Sequence, residues 1–253
     1  MGGNAPAGRT DTVATLVAAW IAADPTRPVL TYYDDGSGER TELSGATLEN
    51  WIAKTANLLV DGCGVGPDDE VAIWLPPHWQ TAAIVLGCWT VGATVAYGQP
   101  TAEAAAVEFA SVEAVTGGAP ATADDRFALG LAPMGMPLRD VPDGWQDYIA
   151  EVRGHGDRYA GPPVAAGNVA MLDVSGAPVT QAALVEQGRE HASRLGITEG
   201  GRVLVDADVY PYPLDWLLAP LAAGSTLVLS THTDPAKIEA RAATEHATPV
   251  KGR

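Results

Sequence analysis

Two carboxylates one residue apart, Asp206 and Asp208, follow RVLV, an apolar run that reads as a buried strand. Open α/β sheets bind ligands at the carboxyl ends of their strands, and two acidic groups there could hold Mg²⁺. The same pair also fits a turn that caps the next helix, a commoner use of aspartate. Tyr210, Tyr212 and Trp216 come just after and could line an apolar ligand pocket, although core packing is the more frequent fate of such side chains. A second candidate is Ser175-Gly176-Ala177-Pro178, between an apolar strand (NVAMLDV) and a helix over about residues 178–195. A phosphate loop in that place needs glycines and a cation ahead of the helix. This stretch has a single glycine and no lysine, so a cap and turn explain it equally well. GCGVG at 62–66 precedes a strand instead of a helix, and fits a helix end and turn.

Other chemistries find less support. A serine hydrolase needs Gly-x-Ser-x-Gly at a strand-to-helix turn, and Asp173-Val174-Ser175-Gly176-Ala177 lacks both flanking glycines. His155, His191 and His232 are available as bases, but no spacing selects one of them. No histidine and cysteine cluster has zinc spacing, and Cys63 and Cys88 read as a pair of inert thiols in a reducing cytosol.

Charge narrows the partners. The 253 residues carry 31 acidic and 15 basic side chains, a formal net charge of −16. A chain this acidic repels phosphate backbones, which argues against nucleic acid as a partner. Its only lysines are Lys54, Lys237 and Lys251, a thin supply for phosphate chemistry. Two segments imitate membrane signals. Residues 12–23 are uncharged, but Asp11 intrudes before them, and Val13, Leu16, Val17 and Trp20 follow the spacing of a surface-packed helix. Residues 71–102 contain no formal charge, yet Pro76, Pro77, His78, Trp79 and Gln80 break the run far short of the ~20 apolar residues a span needs. The expectation is a cytoplasmic protein with no membrane segment.

The elements that must position these residues are those of an α/β protein with mostly parallel sheets. After a Gly/Ala/Pro-rich tail (1–11) come a helix to about residue 23 and a hairpin, VLTYY-DDGSGE-RTEL. A helix over about 45–61 follows, capped by Ser44. VAIWL, WQTAAIVLGCWTV and ATVAY then form a βαβ unit with strands buried on both faces. VEAV and RFALGLA read as short strands, and WQDYIAEVR as a short helix. The segment YAGPPVAAG reads as a linker, which sets a first α/β subdomain at 12–160 and a second at 161–248, with a tail at 249–253. In the second subdomain RVLVDA and STLVLS are strands, and helices cover about 213–223 and 235–245.

In order and spacing these segments resemble the adenylate-forming superfamily: acyl-CoA synthetases, adenylation domains and luciferases. The carriers are ADPTRPVLTYYDDGSGERTEL, GVGPDDEVAIWLPP, LGCWTVGATVAYGQP, GRVLVDADVY and LLAPLAAGSTLVLS, together covering about residues 13–248. The resemblance implies two α/β subdomains like the N-terminal part of those enzymes, with ATP or AMP and Mg²⁺ as the associated cofactors. It places Ser175 and Gly176 on the family's phosphate loop, Tyr-Thr-Ser-Gly-Thr-Thr-Gly-x-Pro-Lys-Gly. The rest of that loop, lysine included, is missing, and Tyr210 is followed by Pro211 where the family often has histidine. ATEHATPVKGR matches roughly the middle of the family's large domain, so the family's later segments for adenine, ribose and Mg²⁺ have no counterpart here. The chain is also similar to a small family of short proteins with twilight similarity to AMP-binding enzymes.

Three functions follow as expectations. The first is a degenerate relative without adenylating activity that binds a ligand or a partner. The second is a half-enzyme completed by another chain, with a homodimer or protein partner on an exposed apolar surface. The third is a metal-dependent enzyme using Asp206 and Asp208.

Overall fold

A computed structural model describes residues 12–99 and 105–251. The tail at 1–11 and the last two residues lie outside the described residues. The strands are, in chain order, β1 (Pro28–Asp34), β2 (Glu39–Ser44), β3 (Glu70–Trp74), β4 (Thr94–Tyr97), β5 (Val107–Ser111), β6 (Asp125–Leu129), β7 (Gln146–Asp147), β8 (Val169–Leu172), β9 (Pro178–Thr180), β10 (Arg202–Asp206), β11 (Thr226–Thr231) and β12 (Thr248–Pro249). The helices are α1 (Val13–Ala23), α2 (Gly45–Asn57), α3 (Trp79–Val91), α4 (Val112–Thr116), α5 (Tyr148–Val152), α6 (Gln181–Arg194), α7 (Ala219–Ala222) and α8 (Ile238–Thr244).

The strands form two sheets. One has seven strands in the order β7-β6-β5-β3-β4-β8-β9, and the other five in the order β12-β10-β11-β1-β2. Every pairing is parallel except the two hairpins, β1–β2 and β8–β9. The α/β class with mostly parallel sheets is as expected, but the sheets do not follow chain order. The first hairpin joins β10–β12 through the β1–β11 pair, and β8 returns to β4 in the other sheet. A boundary at residue 160 therefore leaves each sheet with strands from both sides of it. Pro249 pairs in β12 beside β10, and the Val250 N–H donates to the Leu204 carbonyl, so the described part of the 249–253 segment extends the sheet.

Helix α1 forms because Thr12 caps it, accepting from the Thr15 N–H, and because Val13, Leu16, Val17, Trp20 and Ile21 make one apolar stripe. Ser44 caps α2 by accepting from Thr47 N–H. Helix α3 is buried along almost its whole length, because it touches both β4 of one sheet and β1 of the other. Its close approach to α2 needs Gly87, where an added Cβ would lie 2.8 Å from the Thr55 side chain. One continuous apolar core runs through these helices and both sheets.

Three local expectations change. VEAV is helix α4, not a strand, because Ser111 Oγ accepts from Ala114 N–H and caps it; the strand is the preceding VEFAS. The helix expected from 178 starts at 181, since residues 178–180 are taken by β9. The helix expected over 213–223 opens as a π-helical turn at Leu214–Leu218, next to Pro220, which has no N–H to donate.

Candidate functional site

The remnant phosphate loop is the turn of the β8–β9 hairpin, and it is closed on itself. Asp173 Oδ1 accepts from Ser175 N–H at 2.8 Å, Ala177 N–H at 3.0 Å and Ser175 Oγ at 2.6 Å. These hydrogen bonds hold the Asp173 carboxyl below the usual carboxylate range. Gly176 closes the turn at φ +80°, and its N–H donates to the Asp173 carbonyl. The residues present do not fit a phosphate: donors that would face an anion already face a carboxylate, and a second negative charge beside it is repelled. The loop thus precedes a strand, not the helix N-terminus expected from the sequence. Beside it, Tyr97, Gln99, Val174, Pro211 and Tyr212 line a cavity of about 320 Å³. Its polar groups are also committed: Tyr212 donates its hydroxyl hydrogen to the Leu172 carbonyl, and Gln99 Nε2 donates to the carbonyls of Leu172 and Asp173.

The residues proposed around Asp206 do not converge. Asp206 Oδ1 accepts from Asp208 N–H at 3.1 Å and Thr233 Oγ1 at 2.9 Å. Asp208 accepts from the backbone N–H groups of His232 at 3.2 Å and Thr233 at 2.8 Å. Both carboxylates therefore tie the end of β10 to the loop after β11, as turn residues do. Among the described residues no group of three His, Cys, Asp or Glu is placed to hold a metal ion. Tyr210 points its hydroxyl to the Lys251 carbonyl. Trp216 is fully buried in the core, the commoner of the two fates the sequence offered it, and lines none of the cavities described here. Its apolar neighbours Leu214, Leu217 and Leu218 bury with it, because the π-helical turn faces the core.

Asp208 borders a cleft in which several titratable groups meet. It has a volume of about 450 Å³ and lies where the carboxyl ends of β1 and β11 face those of β3, β5 and β6. Two histidine–carboxylate pairs line it. At the mouth, His232 Nδ1 meets Asp34 Oδ1 at 2.8 Å. The hydrogen bond it donates to Asp34 raises the His232 pKa above its ordinary value, with Asp208 and Glu113 adding to it. Burial raises the pKa of Asp34, but Ser37 Oγ, His232 and Gly36 N–H outweigh it and hold the carboxyl low. His232 itself sits at φ +46°, a strained backbone for histidine, held by the Asp208 contacts to residues 232 and 233.

The second pair forms the floor. Glu39 Oε1 accepts from Thr41 Oγ1 at 2.6 Å and Trp79 Nε1 at 3.2 Å. Its Oε2 faces His78 Nε2 at 3.8 Å, beyond hydrogen-bond reach. His78 Nδ1 accepts from Gln80 N–H, which places the neutral ring's hydrogen on Nε2. That Nε2 is buried and has no hydrogen-bond partner. Burial drives the His78 pKa below its ordinary value against the pull of Glu39. For Glu39, burial works upward, but His78, Thr41 and Trp79 together keep its pKa low. The floor thus holds a neutral imidazole beside a carboxylate.

Nothing in the sequence marks this group. Asp34 belongs to the hairpin turn DDGSG, and His78 sits in the PPHWQ break before α3. The first pair is 198 residues apart in the chain, and the second is joined only by the packing of β2 against the start of α3.

The fold has known counterparts. Over 96% of its length the chain superposes on an acyl-CoA synthetase of Brucella canis with a TM-score of 0.76 at 18% identity, covering 48% of that chain. Residues 17–115 match the family model of the AMP-binding enzyme. A stretch of 88 residues is 33% identical to the acetyl-coenzyme A synthetase of Coprinopsis cinerea, covering 35% of this chain and 13% of that enzyme. The chain thus has the fold of the N-terminal part of acyl-CoA synthetases and is similar to AMP-binding enzymes over residues 17–115, and it spans about half the length of the solved synthetase. Over 235 residues it is 43% identical to a TIGR03089 family protein of Mycobacterium tuberculosis, covering 91% of this chain and 93% of that protein. The chain belongs to the TIGR03089 family.

Proposed function

We propose that the chain is a small-molecule-binding protein on the adenylate-forming scaffold and does not itself adenylate carboxylates. The observation that carries this reading is the Asp173 carboxylate inside the remnant loop, which takes the donors that adenylation would turn to phosphate. Adenylation is positioning plus electrostatic stabilisation of phosphate charge, and removing one preorganised donor costs about 10²–10³ in rate. The interdomain-like cleft bordered by Asp208 supports the binding half of the proposal, since it is concave and combines apolar walls with a few placed polar groups.

The test is ATP–pyrophosphate exchange with a panel of carboxylates, beside thermal stability with ATP, AMP, Mg²⁺ and a stable acyl-adenylate analogue. The expected outcome is no exchange and no shift with the nucleotides. Measurable exchange by the purified chain overturns the reading. A ligand at 100 times its Kd would add about 2.7 kcal/mol, a shift of several degrees.

A second reading, a half-enzyme completed by a partner chain or a second copy, is favoured by one observation. Val174 on the remnant loop is 84% exposed and lines the cavity of Tyr97 and Tyr212. It predicts exchange activity only when the partner is added. The metal-dependent reading predicts a stability shift with Mg²⁺ alone, and the commitment of Asp206 and Asp208 to Thr233 and His232 argues against it.

A further inference from the structure

The floor of the cleft is incomplete in a specific way. His78 Nε2 carries a hydrogen with no acceptor, although the side chain is only 2% exposed. Glu39 Oε2 stands 3.8 Å away, and both residues line the same cleft. An unpaired donor in a buried position costs free energy, so a group that satisfies it on binding gains that energy. The group must accept from Nε2 and donate to the carboxylate at once. An ammonium can only donate and a carboxylate can only accept, whereas a hydroxyl does both. One oxygen can sit about 2.8 Å from each of two atoms 3.8 Å apart.

The walls restrict the rest of the molecule. Among the described residues lining the cleft there is no lysine or arginine, while Asp34, Glu39, Glu113 and Asp208 all line it. An anionic ligand meets repulsion from these four, and His232, the basic side chain at the mouth, is already paired with Asp34. Pro76, Pro77, Leu129 and Pro133 supply apolar wall against which a hydrocarbon body can pack. The four carboxylates do not gather into a metal site.

We propose that this cleft binds a small alcohol that is uncharged or cationic, its hydroxyl bridging His78 Nε2 and Glu39 Oε2. The proposal rests on the small-molecule-binding reading and gives that site its ligand class.

The experiment uses three probes of matched size: cyclohexanol, trans-4-aminocyclohexanol and cyclohexanecarboxylate, each titrated calorimetrically into the full chain. The two alcohols bind and the carboxylate does not. Glu39→Gln keeps an oxygen for Thr41 and Trp79 but turns the second acceptor into a donor, and it weakens alcohol binding about tenfold or more. Should that variant fail to fold, the wild-type protein still decides. The imidazole ¹⁵N and Nε2–H resonances of His78 shift on adding the alcohols and stay in place with the carboxylate. The proposal is overturned if the carboxylate binds as well as the alcohols, if none of the probes binds, or if alcohol binding ignores the Glu39 change and leaves His78 unmoved. Failure of the underlying reading looks different: pyrophosphate exchange appears, whatever the probes do.

Discussion

The remnant loop and the sheet-to-sheet cleft both carry polar groups at strand ends, yet they are opposites in how those groups are spent. In the loop, Ser175 N–H, Ala177 N–H and Ser175 Oγ all turn inward to Asp173, and the turn completes itself with its own side chain. In the cleft, Glu39 and His78 stand too far apart to satisfy each other, and a buried ring N–H goes unpaired. Polar groups in a folded interior are paired with few exceptions, so the exceptions are where a ligand has something to gain. Motif resemblance selected the first region; an unpaired imidazole N–H beside a carboxylate on the lining of a cleft selects the second.

That contrast can be tested from its largest expected effect downward. Trp216 lies in the core and in neither region, so Trp216→Ala removes a fully buried ring and costs about 3–5 kcal/mol. Thermal denaturation would show a fall in Tm of roughly 10 °C. A near-normal Tm would return Trp216 to the surface of a pocket.

Glu39→Ala is next. It strips the acceptor from Trp79 Nε1 and Thr41 Oγ1 in a buried place, and unpaired buried donors cost about 1–3 kcal/mol. Glu39→Gln should lose clearly less, because one oxygen remains. Equal losses in the two variants, measured by urea denaturation, would mean that the charge of Glu39 matters and its acceptor role does not.

Asp173→Ala sits on the opposite side of the comparison. The carboxylate is exposed, so folding is expected to survive with little change in Tm. The freed N–H groups should then gain weak affinity for inorganic phosphate at low salt, which the wild-type chain lacks. Phosphate titration followed by ³¹P line width checks this. No gain would show that Asp173 merely shapes the turn and does not stand in for an anion.

The smallest effects concern pH, and here the two histidines of the cleft have opposite signs. His232 has a raised folded-state pKa, so its pair with Asp34 stabilises fully below the ordinary histidine value of 6.5 and fades as pH rises through the folded value. The ring is mostly exposed, which limits this to below about 1 kcal/mol. His78 has a lowered folded-state pKa, so the unfolded chain takes up the proton first, and stability drops as pH falls below 6.5. His232→Asn should therefore leave a stability curve that rises with pH through this range. A curve still falling with pH after that substitution would contradict the assignment of the two rings.

Much of the scaffold was legible before any coordinates. The hairpin DDGSG, the Ser44 cap, the stripe of α1 and the βαβ unit all come from short-range rules, such as period, cap and turn, that residues a few positions apart obey. Expectations slipped where a short-range rule had two answers. VEAV suits strand or helix, and Ser111 decided for helix by capping it. SGAP suits a phosphate turn or a hairpin turn, and the carboxylate of Asp173 decided for the hairpin.

Composition and spacing determined the α/β class and the net negative charge, and the resemblance of motifs such as GVGPDDEVAIWLPP supplied the family likeness, because each depends on residue types in order along the chain. Only the tertiary structure decided which strands share a sheet. Parallel pairing of β1 with β11 brings together residues almost 200 positions apart, and no periodicity records it. The same long-range packing placed His232 on Asp34 and His78 opposite Glu39, and it left one imidazole hydrogen without an acceptor. A sequence lists donors and acceptors, but whether each finds a partner depends on distances that only the packed chain sets.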